Sequence, residues 1–198
     1  MNKKKIRKFL YENEIEEVLE LCSHTRFPLR NQTLLLVTYM HAFRAGEVCN
    51  LKWEQIDFKN NVITVLRQKG GIAAMQPLWE KEKKLLYQLY CQTYSSSDIN
   101  EKTIHADKYV FISSRWGDKF EPSNFYRLTL KLGKLAGFDF GFTPHMLRHA
   151  RGTFLANQDI HLLKIKAALG HVRVSSTEIY THMAANKFKG INEGSLFN

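Results

Sequence analysis

The stretch Thr143-Pro144-His145-Met146-Leu147-Arg148-His149 gathers several side chains able to do chemistry. Thr143 is a good helix N-cap and Pro144 suits the first helical position, so His145 and Arg148 fall at i and i+3 on one face. A helix N-terminus attracts phosphate, because its free N–H groups and macrodipole point outward. An imidazole and a guanidinium at that end would make a phosphate clamp. Taken alone, the heptapeptide reads more plainly as a solvated basic face with a stray histidine. His145 and His149 also stand at the i, i+4 spacing of a zinc-binding H-E-x-x-H helix. Met146 occupies the glutamate's place, and neither a cysteine pair nor a base carboxylate is near. No metal and no cofactor is expected.

The other candidates are equally bland one by one. Leu169-Gly170-His171 ends a helix on a C-capping glycine, and Tyr180 follows nine residues after His171. Lys69 precedes Gly70-Gly71, as a solvated turn residue would. Arg44 and Glu47 stand at i, i+3 in Phe43-Arg44-Ala45-Gly46-Glu47, the spacing of an ordinary helix ion pair of about 0.2–0.5 kcal/mol.

Their order along the chain is not bland. An arginine, a hairpin lysine, H-x-x-R-H, L-G-H and then a tyrosine nine residues on resembles the catalytic domain of the tyrosine recombinase (integrase) family. The likeness runs from about Ile15 to Tyr180. Within that family, Met40 to Cys49 and Pro144 to His149 are most similar to the Fim-type invertases. These flip a promoter-bearing DNA segment to switch fimbrial genes.

The resemblance implies roles. Tyr180 would attack the scissile phosphate, with Arg44 and Arg148 on its non-bridging oxygens and His171 as a further donor. His145 would assist proton transfer from the tyrosine. Lys69 would protonate the leaving 5′-oxygen, and Glu47 would be a supporting acid. The chemistry suits these types, since planar guanidiniums match phosphate oxygens and a phenol of pKa ~10 needs activation near pH 7. No Walker-type phosphate loop is present, in keeping with strand transfer that needs neither metal nor ATP. The implied partners are double-stranded DNA with inverted-repeat sites, three further copies of the chain in a synaptic tetramer, and accessory DNA-bending proteins. Alternatives from other classes are the integrase or excisionase of a mobile element, a type IB topoisomerase-like strand transferase, and a non-catalytic DNA-binding relic. Two departures stand out. Ala42 replaces the glycine usual two places before the first arginine, a change expected to be harmless. The hairpin after Lys69, Gly70-Gly71-Ile72-Ala73-Ala74-Met75, lacks the further basic residues common in the family.

The elements that must position these residues follow from pattern. A helix is expected from a cap at Asn13, with Glu16 three residues on and apolar positions Ile15, Val18, Leu19 and Cys22 at helical spacing. Pro28 opens a second helix to about Ala42, and Arg44 to Leu51 makes a short third. Ile56 to Phe58, Val62 to Leu66 and Ile72 to Leu78 read as three antiparallel strands, joined by turns at Lys59-Asn60-Asn61 and Lys69-Gly70-Gly71. Helices follow at Trp79 to Tyr94, Pro122 to Ala136, Pro144 to Asn157, Asp159 to Leu169, Ser176 to Thr181 and Ala184 to Lys189. Between them lie a polar loop from Ser95 to Lys108 and a short apolar segment, Tyr109 to Ile112. The class is α+β, mostly α-helical, with one small three-stranded antiparallel sheet.

Composition sets the outer limits. The chain has 198 residues, 44% hydrophobic and 24% charged, which excludes wholesale disorder. Lys plus Arg number 29 against 19 acidic residues, a net +10 that favours a polyanionic partner. Three cysteines with no C-x-x-C pair make a poor disulfide framework, and no apolar run reaches the ~20 residues of a membrane span. The expected setting is the bacterial cytoplasm, nucleoid-associated when bound to DNA, with no membrane contact. Residues 1–13 read as a flexible basic arm and 14–198 as the catalytic domain, with no separate core-binding domain.

Overall fold

The computed structural model describes residues 7–67, 73–94, 105–113, 117–158, 160–171 and 173–183, with backbone alone at 179 and 181–183. Helix α2 (Pro28–Met40) is its axis: Pro28 occupies the first turn, and Leu34, Leu35, Leu36 and Val37 are all buried. A helix apolar on so many sides must be covered, and α4 (Glu80–Tyr94), α6 (Pro144–Asn157) and α1 (Glu12–Glu20) pack around it. Phe111, Phe125, Phe142 and Leu147 extend the same core toward α5 (Pro122–Leu135).

Helix α1 begins earlier than its sequence pattern suggests. Tyr11, not Asn13, is the N-cap residue, and its N–H is capped by Glu14 Oε2 at 2.8 Å. Arg7 explains the shift, because its guanidinium grips both Glu14 oxygens at 2.7 and 2.6 Å and holds the carboxylate in place. With Leu10 also buried, residues 7–13 belong to the fold rather than to a free arm; residues 1–6 lie outside the described residues.

The sheet has the order β1-β2-β3, all antiparallel, from β1 (Ile56–Asp57), β2 (Val62–Val65) and β3 (Ala74–Pro77). Ile56 opposes Ile63, and Val65 opposes Ala74. Ile63 and Val65 turn inward, two residues apart as the pleat requires. The strands are shorter than the sequence runs, and Tyr109 to Ile112 supplies only single bridges to Lys52 and Lys119. The hairpin turn carrying Lys69 falls within 68–72, outside the described residues.

The last described helices are α7 (Leu162–Leu169) and α8 (Ser175–Met183), both packed on α6. His161 caps α7, its ring accepting from the Leu163 N–H at 3.3 Å; Asp159, where the sequence pattern starts this helix, lies outside the described residues. Gly170 ends the helix at φ 63°, the left-handed conformation that glycine adopts freely. The proposed final helix, Ala184 to Lys189, lies outside the described residues.

A buried polar network fastens the sheet to the helices. His41, just past α2, meets Gln76 Oε1 through Nδ1 and Glu82 Oε2 through Nε2, both at 3.0 Å. Gln76 Nε2 reaches on to the Ala168 carbonyl at 3.0 Å, and Glu82 Oε1 accepts from the Trp79 N–H at 2.8 Å. One histidine thus ties together the ends of α2 and α7, the strand β3 and the start of α4. Glu82→Ala strips two buried donors of their acceptor and should cost about 2–4 kcal/mol, read as a lower urea midpoint. Glu82→Gln keeps a carbonyl and should lose clearly less. Equal losses in the two variants would show that the acceptor is not what matters.

Candidate active site

Arg148 sits one turn into α6 and is 1% exposed. Its Nη1 donates to the Ala42 carbonyl and its Nη2 to the Leu169 carbonyl at 2.6 Å. These oxygens belong to the ends of α2 and α7, where the final carbonyls lack helical partners and the dipole is negative. Burial lowers the Arg148 pKa to about 10, with Arg44 and Arg67 pushing the same way, so it stays cationic at neutral pH. Ala42 adopts φ 50°, a left-handed conformation costing a residue with a Cβ about 1–2 kcal/mol. The replacement of the usual glycine is therefore not free. Its buried methyl gains contact in return, joining Ile165, Leu169 and Tyr180 in a small apolar cluster.

Arg44 is the N-cap residue of α3 (Ala45–Cys49) and leaves about a third of its side chain, 36%, exposed. Its Nη1 donates to Glu47 Oε1 at 2.7 Å and its backbone N–H to Oε2 at 2.9 Å. The i, i+3 pair is present, but it is no surface pair, because the Glu47 side chain is fully buried. Burial alone would raise the Glu47 carboxyl; the hydrogen bonds from Arg44 and the charge and hydrogen bond of Arg67 hold it below the usual range. Arg67, just past β2, was not among the sequence candidates, yet it pairs with Glu47 Oε2 at 2.9 Å. Its position next to Lys69 on the hairpin was the only signal available.

Tyr180 on α8 is 1% exposed. Its ring lies directly on the backbone of Gly152, where a Cβ would come within 2.6 Å of the tyrosine Cε1. Glycine inside a helix costs about 1 kcal/mol relative to alanine, and here the tyrosine occupies the space of the missing methyl. His171 stacks near-parallel to the phenol, with centroids 6.3 Å apart, and His149 lies 5.6 Å away. His145, on the exposed rim, meets His149 edge-on at 4.4 Å. The structure thus brings Arg44, Glu47, His145, Arg148, His171 and Tyr180 into one cluster. It adds Arg67, His149 and Gly152, which sequence reasoning did not place there. Lys69 lies outside the described residues.

The charge in this cluster is one-sided, and the histidines respond. Burial, then the charges of Arg148, Arg44 and Arg67, push His171 down to about 4. His149 falls to about 4 chiefly by burial, and its buried Nδ1 has no hydrogen-bond partner among the described residues. Loss of hydration on its inner side, with Arg148 and Arg44, also lowers His145. All three imidazoles are therefore neutral at pH 7. Burial raises the Tyr180 phenol, although Arg148 and Arg44 pull it the other way. His171 Nδ1 lies 2.9 Å from the Thr177 hydroxyl. If it accepts that O–H, Nε2 carries the proton and is a donor. Among the described residues, no group of three or more His, Cys, Asp or Glu could hold a metal ion.

Over residues 8–187 the sequence matches the phage integrase family. The chain belongs to that family, the tyrosine recombinases, whose members cleave and rejoin DNA. It is 35% identical over 190 residues to the type 1 fimbriae regulatory protein FimB of Escherichia coli K12, covering 96% of this chain and 90% of that one. The crystal structure of XerA recombinase superposes with a TM-score of 0.76 at 28% identity, over 96% of this chain and 65% of that one. The chain thus spans slightly under two thirds of XerA. The XerH recombinase bound to its palindromic difH substrate shares the fold, with a TM-score of 0.71 at 22% identity, over 93% of this chain and 52% of that one. Against these relatives, the mostly helical recombinase domain with a three-stranded sheet is the fold expected from sequence. No described helix is long and apolar enough to cross a membrane.

Two outcomes follow for this recombinase domain. Gly152→Ala should expel the Tyr180 ring, so that α8 amides exchange hydrogen faster while those of α2 do not. Unchanged exchange in α8 would place the ring elsewhere. Acid should also destabilise the domain through His149 and His171. The unfolded chain binds protons at its ordinary histidine pKa of about 6.5, whereas the folded one does so only near 4. Stability is then full above about pH 6.5 and falls steadily toward pH 4. His149→Gln and His171→Gln should each flatten the decline in Tm between pH 7 and pH 4.5, and an unaltered slope in both would remove the histidines from the account.

Proposed function

We propose that this chain is a site-specific recombinase that cleaves and rejoins DNA through a 3′-phosphotyrosyl intermediate, inverting a promoter segment that switches fimbrial genes. One observation carries the chemical part. A phenol is seated beside two neutral imidazoles, His149 and His171, with the charge of both Arg148 and Arg44 acting on it. Phosphoryl transfer spreads negative charge over the non-bridging oxygens, and preorganised cations aimed at them stabilise the transition state. Arg148 is fixed by two carbonyls and Arg44 by Glu47, so neither must reorganise when the charge develops.

The roles are those the family resemblance implies, and the protonation states suit them. Tyr180 Oη attacks phosphorus and its proton passes to neutral His145, which is able to accept it. The bond to the 5′-oxygen breaks, and Lys69 supplies that oxygen's proton. His171, with Nδ1 occupied by Thr177, donates from Nε2 to a phosphate oxygen. Glu47 orients Arg44. The phosphotyrosyl bond keeps the energy of the broken diester, so a 5′-hydroxyl from the partner strand can displace the tyrosine without ATP or metal. The likeness to FimB over nearly the whole of both chains supports inversion between inverted repeats. Exchange of two duplexes takes four cleavages, hence a tetramer on two sites, with accessory DNA-bending proteins to bring the sites together. Residues 14–198 would form the catalytic domain, joined by residues 7–13, which pack with it.

The test uses a nicked duplex carrying the inverted repeat mapped beside the gene. Tyr180→Phe should keep DNA affinity within about threefold but form no adduct stable to denaturing gels; an adduct in this variant would overturn the nucleophile. Arg148→Lys keeps the charge and loses the planar fork, so cleavage should fall about a hundredfold or more with binding little changed. The wild-type chain should invert a promoter flanked by the repeats, and excision or integration alone would overturn the inversion reading.

A further inference from the structure

We infer that Arg67 is a positioning residue for strand cleavage, acting through Glu47 to leave Arg44 available to the scissile phosphate. The inference rests on the phosphate-clamp reading of Arg44 and Arg148 given above.

Arg67 lies two residues past β2 and two before Lys69, and its side chain is 0% exposed. Nη1 donates to Glu47 Oε2 at 2.9 Å and to the Ala42 carbonyl at 3.2 Å. Nη2 donates to the carbonyls of His41 at 2.9 Å and Ala168 at 2.7 Å. The neighbouring turn is shaped around it, since a Cβ on Gly170 would stand 2.6–2.8 Å from Arg67 Nε, Cγ and Cδ. Gly170 therefore serves twice, as the left-handed end of α7 and as the gap through which this arginine passes.

Its partners are those of the clamp. The Ala42 carbonyl is shared with Arg148, and the Glu47 carboxylate is shared with Arg44. The Arg148 Nη2 and Arg67 Nη2 take adjacent carbonyls, Leu169 and Ala168, at the end of α7. The arrangement at Glu47 gives Arg67 its role. A fully buried carboxylate attracts every cation in reach, and undiluted attraction would tighten its hold on the one-third-exposed Arg44, which already donates to Oε1 at 2.7 Å. With Arg67 on one oxygen, the carboxylate is already neutralised from the buried side. Arg44 then keeps its place by its hydrogen bonds to Glu47 while the exposed third of its side chain stays open to a phosphate. Removing Arg67 should leave Arg44 folded and present but engaged by Glu47 instead of by phosphate.

That mechanism separates a positioning role from simple loss of structure. Arg67→Met fills the slot without charge; it should bind the nicked inverted-repeat duplex within about threefold of wild type and cleave it at least a hundredfold more slowly. Adding Glu47→Gln removes the uncompensated carboxylate and should restore cleavage at least tenfold over Arg67→Met, although it deletes a second buried charge. A substrate with a methylphosphonate at the scissile position has one anionic oxygen fewer. Arg67→Met and Arg44→Ala should both lose less on it than on ordinary phosphate. If Arg67→Met does not fold, Arg67→Lys decides: its cation still faces Glu47 but cannot span the three carbonyls, so cleavage should fall about tenfold and recover on the methylphosphonate. Slow cleavage by Arg44→Ala beside unimpaired Arg67 variants would overturn the role of Arg67 alone. A double variant no faster than Arg67→Met, or a methylphosphonate loss as large as on phosphate, would do the same. Normal cleavage by Arg44→Ala would overturn the clamp reading itself, and the role of Arg67 with it.

Discussion

Burying a guanidinium is costly unless its N–H groups find acceptors, and the architecture is arranged around meeting that requirement for Arg148. The acceptors are main-chain oxygens at two helix ends, Ala42 past α2 and Leu169 at the close of α7. Bringing these two ends to one point fixes much else. The chain must turn through left-handed backbone at Ala42 and again at Gly170. Helix α2 must be long enough to reach the site from the far side of the core, and the sheet must hold α7 in register, which the Gln76 bond to Ala168 does. The orphan carbonyls that any helix leaves at its C-terminus become the lining of a cation site.

The same cluster shows how one electrostatic field sets several protonation states together. Arg44, Arg67 and Arg148 act on His171, and Arg148 acts on His145 and His149 as well. Burial first, and these charges with it, keep the imidazoles uncharged, and uncharged imidazoles are what proton acceptance and tautomer-specific donation need. Burial opposes the arginines at Glu47 and at Tyr180, and at the tyrosine it keeps the phenol protonated in its seat on Gly152. A phosphate entering this field would relieve the cation repulsion and strengthen each donor.

Much of this was legible from residue types and spacing. Helix starts at Pro28, Pro122 and Pro144 and the stop at Gly170 are local rules, and the structure follows them. Arg44, His145, Arg148, His171 and Tyr180 stand in an order that few other sequences share, and the fold brings them together. What stayed hidden depended on distant or backbone partners. Asn13 looked the better cap, but Arg7 holds Glu14 where it caps Tyr11. Glu47 looked like half of a surface pair worth tenths of a kcal/mol, because burial is not visible in an i, i+3 spacing. Gly152 gave no hint of its purpose, since the ring that fills its space arrives 28 residues later. Arg67 was not singled out at all, because most of its partners are main-chain oxygens far along the chain.

The carbonyl partners of Arg148 and Arg67 have an evolutionary corollary. A side-chain pair leaves a trace when it drifts, because a change in one member favours a matching change in the other. A main-chain oxygen cannot mutate. Among the described residues, Arg148 has no side chain for a hydrogen-bond partner, and Arg67 has only Glu47. Across homologous chains these arginines should look invariant yet uncoupled, and methods that infer contacts from correlated substitution should find the ends of α2 and α7 unconnected. A junction on which the site depends would then be among the hardest to see in an alignment.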